Sequence, residues 1–278
     1  MKNLLSIVIL TYNEEKNISK CLHSLKTLNA NVYIVDSFSN DSTEDIAKSF
    51  GVHFVQNKFE THVKQWQFAL SLSELNTEWV LGLDADQELT AELAKEIKET
   101  LIRQPNENGF YLNRRNYFLN KWIKHGGYYP RYLLKLFRKD CVYLDENEMM
   151  DHHFYVRGST RKLQYDIIEN NLKEDLSFWI NKHNKYASLQ AKEEFNKLEI
   201  ANGNFFGNQD EKRLFLKKIW NKSPLFIRPF VYFIYRYFIQ LGFIDGKKGL
   251  IFHFLQAFWY RFLVDAKIYE MRKQENVN

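Results

Sequence analysis

The run from Leu4 to Leu10 is apolar throughout and rich in Ile, Val and Leu. It is too short for a helix and matches a strand covered on both faces. Ile18, Cys21, Leu22 and Leu25 then recur at helical spacing within residues 13–28, so the chain opens as strand, loop, helix. Val32 to Val35 reads as a second buried strand closing at Asp36, and Ser37 to Asp41 as a turn. Asp41 or Ser42 caps a helix expected over 43–50, which Gly51 ends. Val52 to Val55 is a short third strand. Val63, Trp66, Phe68, Ala69 and Leu72 predict a helix over 61–75, before a fourth strand from Trp79 to Asp84 and a helix over 90–102. Strands alternating with helices imply an α/β fold: a mostly parallel central sheet with helices on both faces.

Beyond residue 105 the pattern loosens. Gly109–Asn113 and Tyr132–Phe137 read as strands around a loop over 120–130 that holds Gly126-Gly127. Phe154–Val156 is extended, and Leu176 to Glu199 forms a long amphipathic helix through Trp179, Tyr186, Leu189 and Phe195. From 213 the composition changes. The stretches 224–244 and 250–266 are dense in aromatic and aliphatic residues but broken by Arg228, Arg236, Gln240, His253, Gln256 and Arg261. Neither offers the run of about 20 apolar residues that a spanning helix needs. Amphipathic helices in the headgroup region of a bilayer are expected, the other reading being helices packed on the core or on a second subunit. The organisation read from this is one domain over 1–212, with halves 1–104 and 105–212, followed by a C-terminal aromatic amphipathic helical region over 213–278.

With 278 residues, 45% apolar and 26% charged, the chain has the material for a full core. Two cysteines, Cys21 and Cys141, form neither a disulfide framework nor a zinc pattern, which points to a reducing compartment. The apolar start passes into Thr11-Tyr12-Asn13-Glu14 with no small-residue cleavage site, so a strand is expected there and not a secretory signal. A cytoplasmic protein, peripheral on the cytoplasmic face of the inner membrane, follows. Net charge is +5, with acidic residues concentrated early and a basic, aromatic region from Lys212 to Arg261. These cations do not cluster on one face, which argues against nucleic acid.

The chemistry gathers at strand ends. Asp84-Ala85-Asp86 follows the fourth strand, Asp36 the second, and Thr11-Tyr12-Asn13-Glu14 the first. In open parallel sheets, ligands bind beyond the carboxyl ends of the strands, so these groups are expected around one cleft. An Asp-x-Asp by itself is most often a solvated turn. Joined by the other two strand ends, it offers hard oxygen ligands to a divalent cation that holds a diphosphate. A dinucleotide-dependent dehydrogenase is disfavoured, because the first strand lacks Gly-x-Gly-x-x-Gly.

The stretches Ser6 to Glu15, Val35-Asp36-Ser37-x-Ser39-x-Asp41-x-Thr43 and Trp79 to Glu88 together resemble the inverting family 2 glycosyltransferases of the GT-A type. Arg114 to Leu119, His125-Gly-Gly-Tyr-Tyr-Pro130, Lys185-Tyr-Ala-x-x-Gln-Ala191 and Gly242-Phe-x-Asp-Gly246-x-x-Gly249 are similar to the subgroup that builds lipopolysaccharide core and capsular chains. The resemblance implies a Rossmann-like GT-A fold that transfers a hexose or N-acetylhexosamine from a UDP-sugar to a glycan or lipid-linked acceptor. It assigns Thr11, Asn13, Glu14, Asp36, Lys64 or Gln65, Asp84 and Ala85 to the nucleotide-sugar site. Asp84 and Asp86 would hold Mg2+ or Mn2+. The base that deprotonates the acceptor would lie in Glu146-Asn-Glu148-Met-Met-Asp151-His-His153, with Asp151 first, Glu148 next and His152 third. The alternatives on the same fold are a polyprenyl-phosphate sugar transferase and a non-catalytic sugar-nucleotide-binding protein. Oligomer formation is compatible with the sequence.

Overall fold

The computed structural model describes residues 4–146, 153–171, 175–196 and 219–275. Two compact units divide the chain. The first comprises residues 1–123 and 128–175, and the second 124–127 and 176–278.

The first unit is an α/β sheet with helices on both faces. Its strands are β1 (Leu5–Thr11), β2 (Asn31–Asp36), β3 (His53–Gln56), β4 (Trp79–Asp84), β5 (Gln87–Leu89), β6 (Gly109–Phe118), β7 (Lys121–Trp122), β8 (Tyr132–Arg138) and β11 (Thr160–Glu169), while β9 (Val142–Leu144) and β10 (Phe154–Val156) form a separate pair. The order is β3-β2-β1-β4-β8-β6-β11-β5. Strands β1 to β4 pair in parallel, β8 runs antiparallel between β4 and β6, and β11 restores the parallel direction beside β6.

Side-chain alternation sorts this sheet into two cores. Ile7, Ile9, Ile34, Leu81 and Leu83 point to one face, where α1 (Ile18–Leu25), α2 (Thr43–Ser49) and α4 (Ala91–Ile102) lie. Val8, Tyr33, Val35 and Val80 point to the other, against α3 (His62–Ser71) and its fully buried Trp66. Gly82 lets the Trp66–Phe154 pair, 4.7 Å between ring centroids, close onto β4: a Cβ there would stand 2.9 Å from Phe154. Helix α4 starts on Thr90, whose hydroxyl accepts from the Leu93 amide.

The sequence pattern differs from the structure in several places. Helix α3 ends at Ser71 and does not run to 75, because the Ser71 hydroxyl bonds back to the Phe68 carbonyl and Leu72 turns to ψ 126°. Strand β6 extends to Phe118, and β5, β7, β9 and β11 lie where no strand is expected. β11 reads Thr-Arg-Lys-Leu-Gln-Tyr-Asp-Ile-Ile-Glu, with polar side chains masking the pattern. The expected domain boundary at 212/213 lies outside the described residues.

The second unit is helical: α5 (Leu176–Asn196), α6 (Arg228–Ile234), a π-helical turn (Tyr235–Ile239), α7 (Gly246–His253), a second π-helical turn (Phe254–Trp259) and α8 (Tyr260–Glu275). Ala187 and Ala191 of α5 pack on Tyr260, Val264 and Ile268 of α8. Arg228 is buried between Glu194 of α5 and Asp265 of α8, and both carboxylates accept from its guanidinium.

The short segment 124–127 docks into this unit. His125 donates its amide to Asp245 Oδ2 at 2.9 Å, and its Nδ1 lies 2.8 Å from Oδ1. Gly126, at φ +69°, presses on the buried ring of His253 so closely that a Cβ would meet Cε1 at 2.0 Å. Burial first, then the charge of Arg236, pushes the His253 imidazole down to about 4. The folded ring therefore refuses a proton that the unfolded chain binds near pH 6.5. Stability is full above that value and falls as pH drops toward 4. Urea unfolding is expected to lose about 2 kcal/mol between pH 7.5 and 5, a loss that His253→Gln should shed.

Candidate active site

Three hydrogen-bonded neighbours, β2, β1 and β4, end together. Thr11 stands in register with Asp36, and Leu10 with Asp84. With neighbouring strands about 5 Å apart, Asp36 and Asp84 sit at one sheet edge, separated by roughly 10 Å across β1.

Asp36 is fully buried and its carboxylate is engaged on both oxygens. Thr11 Oγ1 donates to Oδ1 at 2.8 Å, the Ser39 amide donates to Oδ2 at 2.8 Å, and the Ser39 hydroxyl and Gln56 Nε2 complete the set. Asn13 adopts φ +53°, a conformation that Asn tolerates, and bridges the same loop: its amide donates to Ser39 Oγ and its Oδ1 accepts from the Asn40 amide. The Glu14 amide donates to Thr43 Oγ1, while its carboxylate accepts from Asn17. Asp41 accepts from the Thr43 amide and hydroxyl in the turn just ahead of α2, whose N-cap residue is Ser42. The loops after β1 and β2 are thereby laced into one wall. Gln65, buried on α3, extends that wall by donating to Ser37 Oγ at 3.1 Å and to the Asn57 carbonyl. Lys64 points outward and pairs with Glu60 at the surface.

The Asp84-Ala85-Asp86 turn sits over the first core, with Ala85 packed into it and both carboxylates half-exposed. Four side chains to which the sequence reading gave no role, Lys135, Gln87, Glu169 and Arg114, brace it. Lys135 of β8, only 4% exposed, donates Nζ to Asp84 Oδ2 at 2.9 Å. Gln87 accepts from the Asp84 amide and donates to Glu169, which in turn takes both of its contacts with Arg114 at 2.9 and 3.0 Å. Burial would raise the Glu169 carboxyl, but Arg114 and Gln87 outweigh it and hold it below the ordinary value. The Asp86 carbonyl accepts from the Asn170 amide. Beneath the turn, burial and the charges of Asp86, Asp84, Glu88 and Glu14 push the Cys21 thiol far above its usual value. A lysine inside the apolar run of β8 was the available signal for Lys135, since buried lysines are almost always paired.

Farther along the same strands, Asp166 accepts from Asn113, Arg115 and Tyr129, and Trp122 meets Tyr129 edge-on at 5.0 Å between centroids. Arg115 lies 4.8 Å from the Trp122 ring centroid, and all three of Arg115, Trp122 and Tyr129 are half-exposed.

Two carboxylates on one turn fit Mg2+ or Mn2+ of the kind that keeps several waters and takes its other ligands from substrate phosphates. Among the described residues no three His, Cys, Asp or Glu side chains form a cage, the alternative mode. Asp151, Glu148 and His152 lie outside the described residues. A shallow recess lined by Leu4, Asn76, Thr77, Glu78 and Asp140 opens near the start of β4, at the far end of the strand from the carboxylates, and brings no comparable chemistry.

The family model described as glycosyl transferase family 2 matches residues 6–165. An uncharacterized glycosyltransferase of Rickettsia typhi is 29% identical over 289 residues, covering 98% of this chain and 89% of its own length. The lipopolysaccharide core biosynthesis glycosyltransferase LpsC of Rhizobium meliloti is 26% identical over 274 residues, covering 96% and 92%. Among solved structures, S. aureus TarS 1-349 in complex with UDP aligns over 98% of this chain and 91% of its own at 16% identity, with a TM-score of 0.46.

Proposed function

The chain belongs to glycosyl transferase family 2, and from that premise we propose that it moves a hexose or N-acetylhexosamine, with inversion, from a UDP-sugar to a growing bacterial surface glycan. The acceptor class rests on the likeness to LpsC, a lipopolysaccharide core biosynthesis glycosyltransferase. The observation that carries the reading is the meeting of Thr11, Asp36 and the Asp84–Asp86 turn at one edge of three adjoining parallel strands.

In this reading the laced loops around Asp36 form the nucleoside wall. The Asp36 carboxylate is saturated by Thr11, Ser39 and Gln56, so it holds the wall's shape while main-chain groups and Asn13 face the base and ribose. Asp84 and Asp86 would hold Mg2+ or Mn2+, which when bound would supply positive charge to offset that of the diphosphate. Lys135 keeps Asp84 fixed and adds a permanent cation beside it. Asp151 takes the proton from the acceptor hydroxyl, with Glu148 as the second candidate. The enzyme works at the cytoplasmic surface of the inner membrane on a glycan or lipid-linked acceptor.

A screen of UDP-sugars for thermal protection in Mn2+ tests the donor. A true donor at about 100 times its Kd is expected to add roughly 2.7 kcal/mol, and no protection by any uridine nucleotide would defeat the proposal. Asp151→Asn is expected to leave that protection intact and to cut turnover by about 10² to 10⁴-fold. Undiminished turnover in a UDP-release assay would move the base to Glu148.

A further inference from the structure

The second unit exposes an apolar surface where a water-facing helix should be polar. Ile227, Phe230, Val231, Ile234, Phe238 and Ile239 are each between 51% and 69% exposed. Their spacing of three, four and one is that of a single helix stripe running along α6 and its π-helical turn. The surface continues through the following corner and helix, where Phe243, Ile244, Leu250, Ile251 and Phe254 are 41% to 53% exposed. It is one surface because the two helices pack through aromatic rings: Phe230 meets Phe258 at 4.6 Å, and Phe233 meets both Phe254 and Phe258. Isolated exposed apolar residues are ordinary, but a contiguous patch of this kind marks an interface.

Charge identifies what covers it. Between 219 and 264 the one acidic residue is Asp245, which is buried and bonded to His125. The same stretch carries Lys222, Lys247 and Lys248 exposed, and Arg236 and Arg261 half-buried. The exposed charges of the segment that carries this surface, its basic rim, are therefore of one sign. A second copy docking isologously would set this basic rim against itself. An anionic headgroup layer complements it and accepts the apolar stripe below. The stripe from Ile227 to Ile239 is about 20 Å long, short of the ~30 Å hydrocarbon core, and no helix of the described residues is long and apolar enough to cross a membrane. We propose that α6, the corner at Phe243 and Ile244, and α7 form an in-plane docking surface for an anionic lipid bilayer, with Lys247 and Lys248 seated among the headgroups. This assignment stands on the second unit alone and does not depend on the donor-site reading.

Co-sedimentation of the full chain with vesicles tests it. Vesicles containing about 30% phosphatidylglycerol are expected to capture the protein, with phosphatidylcholine alone capturing much less. Capture should weaken as salt rises from about 0.1 to 0.5 M. Lys247→Ala with Lys248→Ala should lower partitioning to anionic vesicles by about 25-fold, roughly fivefold per lysine. Ile234→Asp with Phe238→Asp, both at exposed positions, should abolish it while thermal protection by UDP and Mn2+ is retained. Hydrogen exchange on the unaltered protein gives an independent readout: vesicles should protect 227–251. Absence of capture by anionic vesicles, or vesicle protection confined to other segments, would overturn the proposal. So would a dimer that protects 227–251 without lipid.

Discussion

Replacing Asp86 by Ala is expected to abolish Mn2+-dependent affinity for UDP and to lower sugar transfer by on the order of 10³-fold, the several kcal/mol of charge stabilisation that a bound divalent ion contributes. Asp86 is the better choice than Asp84. Asp84 also pairs with the buried Lys135, so its loss would strand a cation and mix a folding defect into the result. Calorimetry with UDP, run with and without Mn2+, reads the effect directly. An Asp86→Ala protein that binds UDP as the parent does, with the same dependence on the ion, would remove the metal from the proposal.

Arg228→Met is expected to destabilise the second unit by about 3 to 5 kcal/mol, because it leaves two buried carboxylates without their shared cation. Asp265 is fully buried, and its Oδ2 also accepts the Phe226 amide, so it has no route to water. Arg228 holds Glu194 and the Trp220 carbonyl as well, and stacks 4.8 Å from the Trp220 ring. Arg228→Lys should rescue little, since an ammonium cannot serve a forked set of acceptors. Thermal unfolding followed by far-UV circular dichroism should show the midpoint drop by on the order of 10 °C. A shift below about 1 kcal/mol would mean that the cluster is solvated in solution.

The parts of the fold that were legible in the chain are those where burial on both faces leaves a strong signature. β1, β2 and β4 are runs of Ile, Val and Leu, and α1 repeats its apolar residues at helical spacing, so type and position both follow. β11 was illegible because it lies beside β6 with Arg161, Lys162 and Gln164 exposed, and its inward residues, Leu163, Asp166 and Ile167, include a carboxylate. A buried Asp on a strand makes sense only once Asn113, Arg115 and Tyr129 are seen to bond it, and those come from 37 to 53 residues earlier. The candidate site divides in the same way. Thr11, Asp36 and the acidic turn were readable because each ends a recognisable strand. Lys135, Arg114, Gln87 and Glu169 were not, since their role depends on β8, β6, β11 and β5 being laid down in that order on one side of β4 by pairings that no local pattern announces.

The sulfur beneath the acidic turn has a practical consequence for anyone wishing to watch this protein. Alkylating reagents and oxidants attack the thiolate, and Cys21 is held as a thiol by burial and by the carboxylates around it. Cys141, half-buried in the turn between β8 and β9, is the other cysteine of the chain. A fluorophore or spin probe offered to the native protein is therefore expected to spare Cys21, and peptide mapping of the labelled protein checks that any tag taken up sits at position 141.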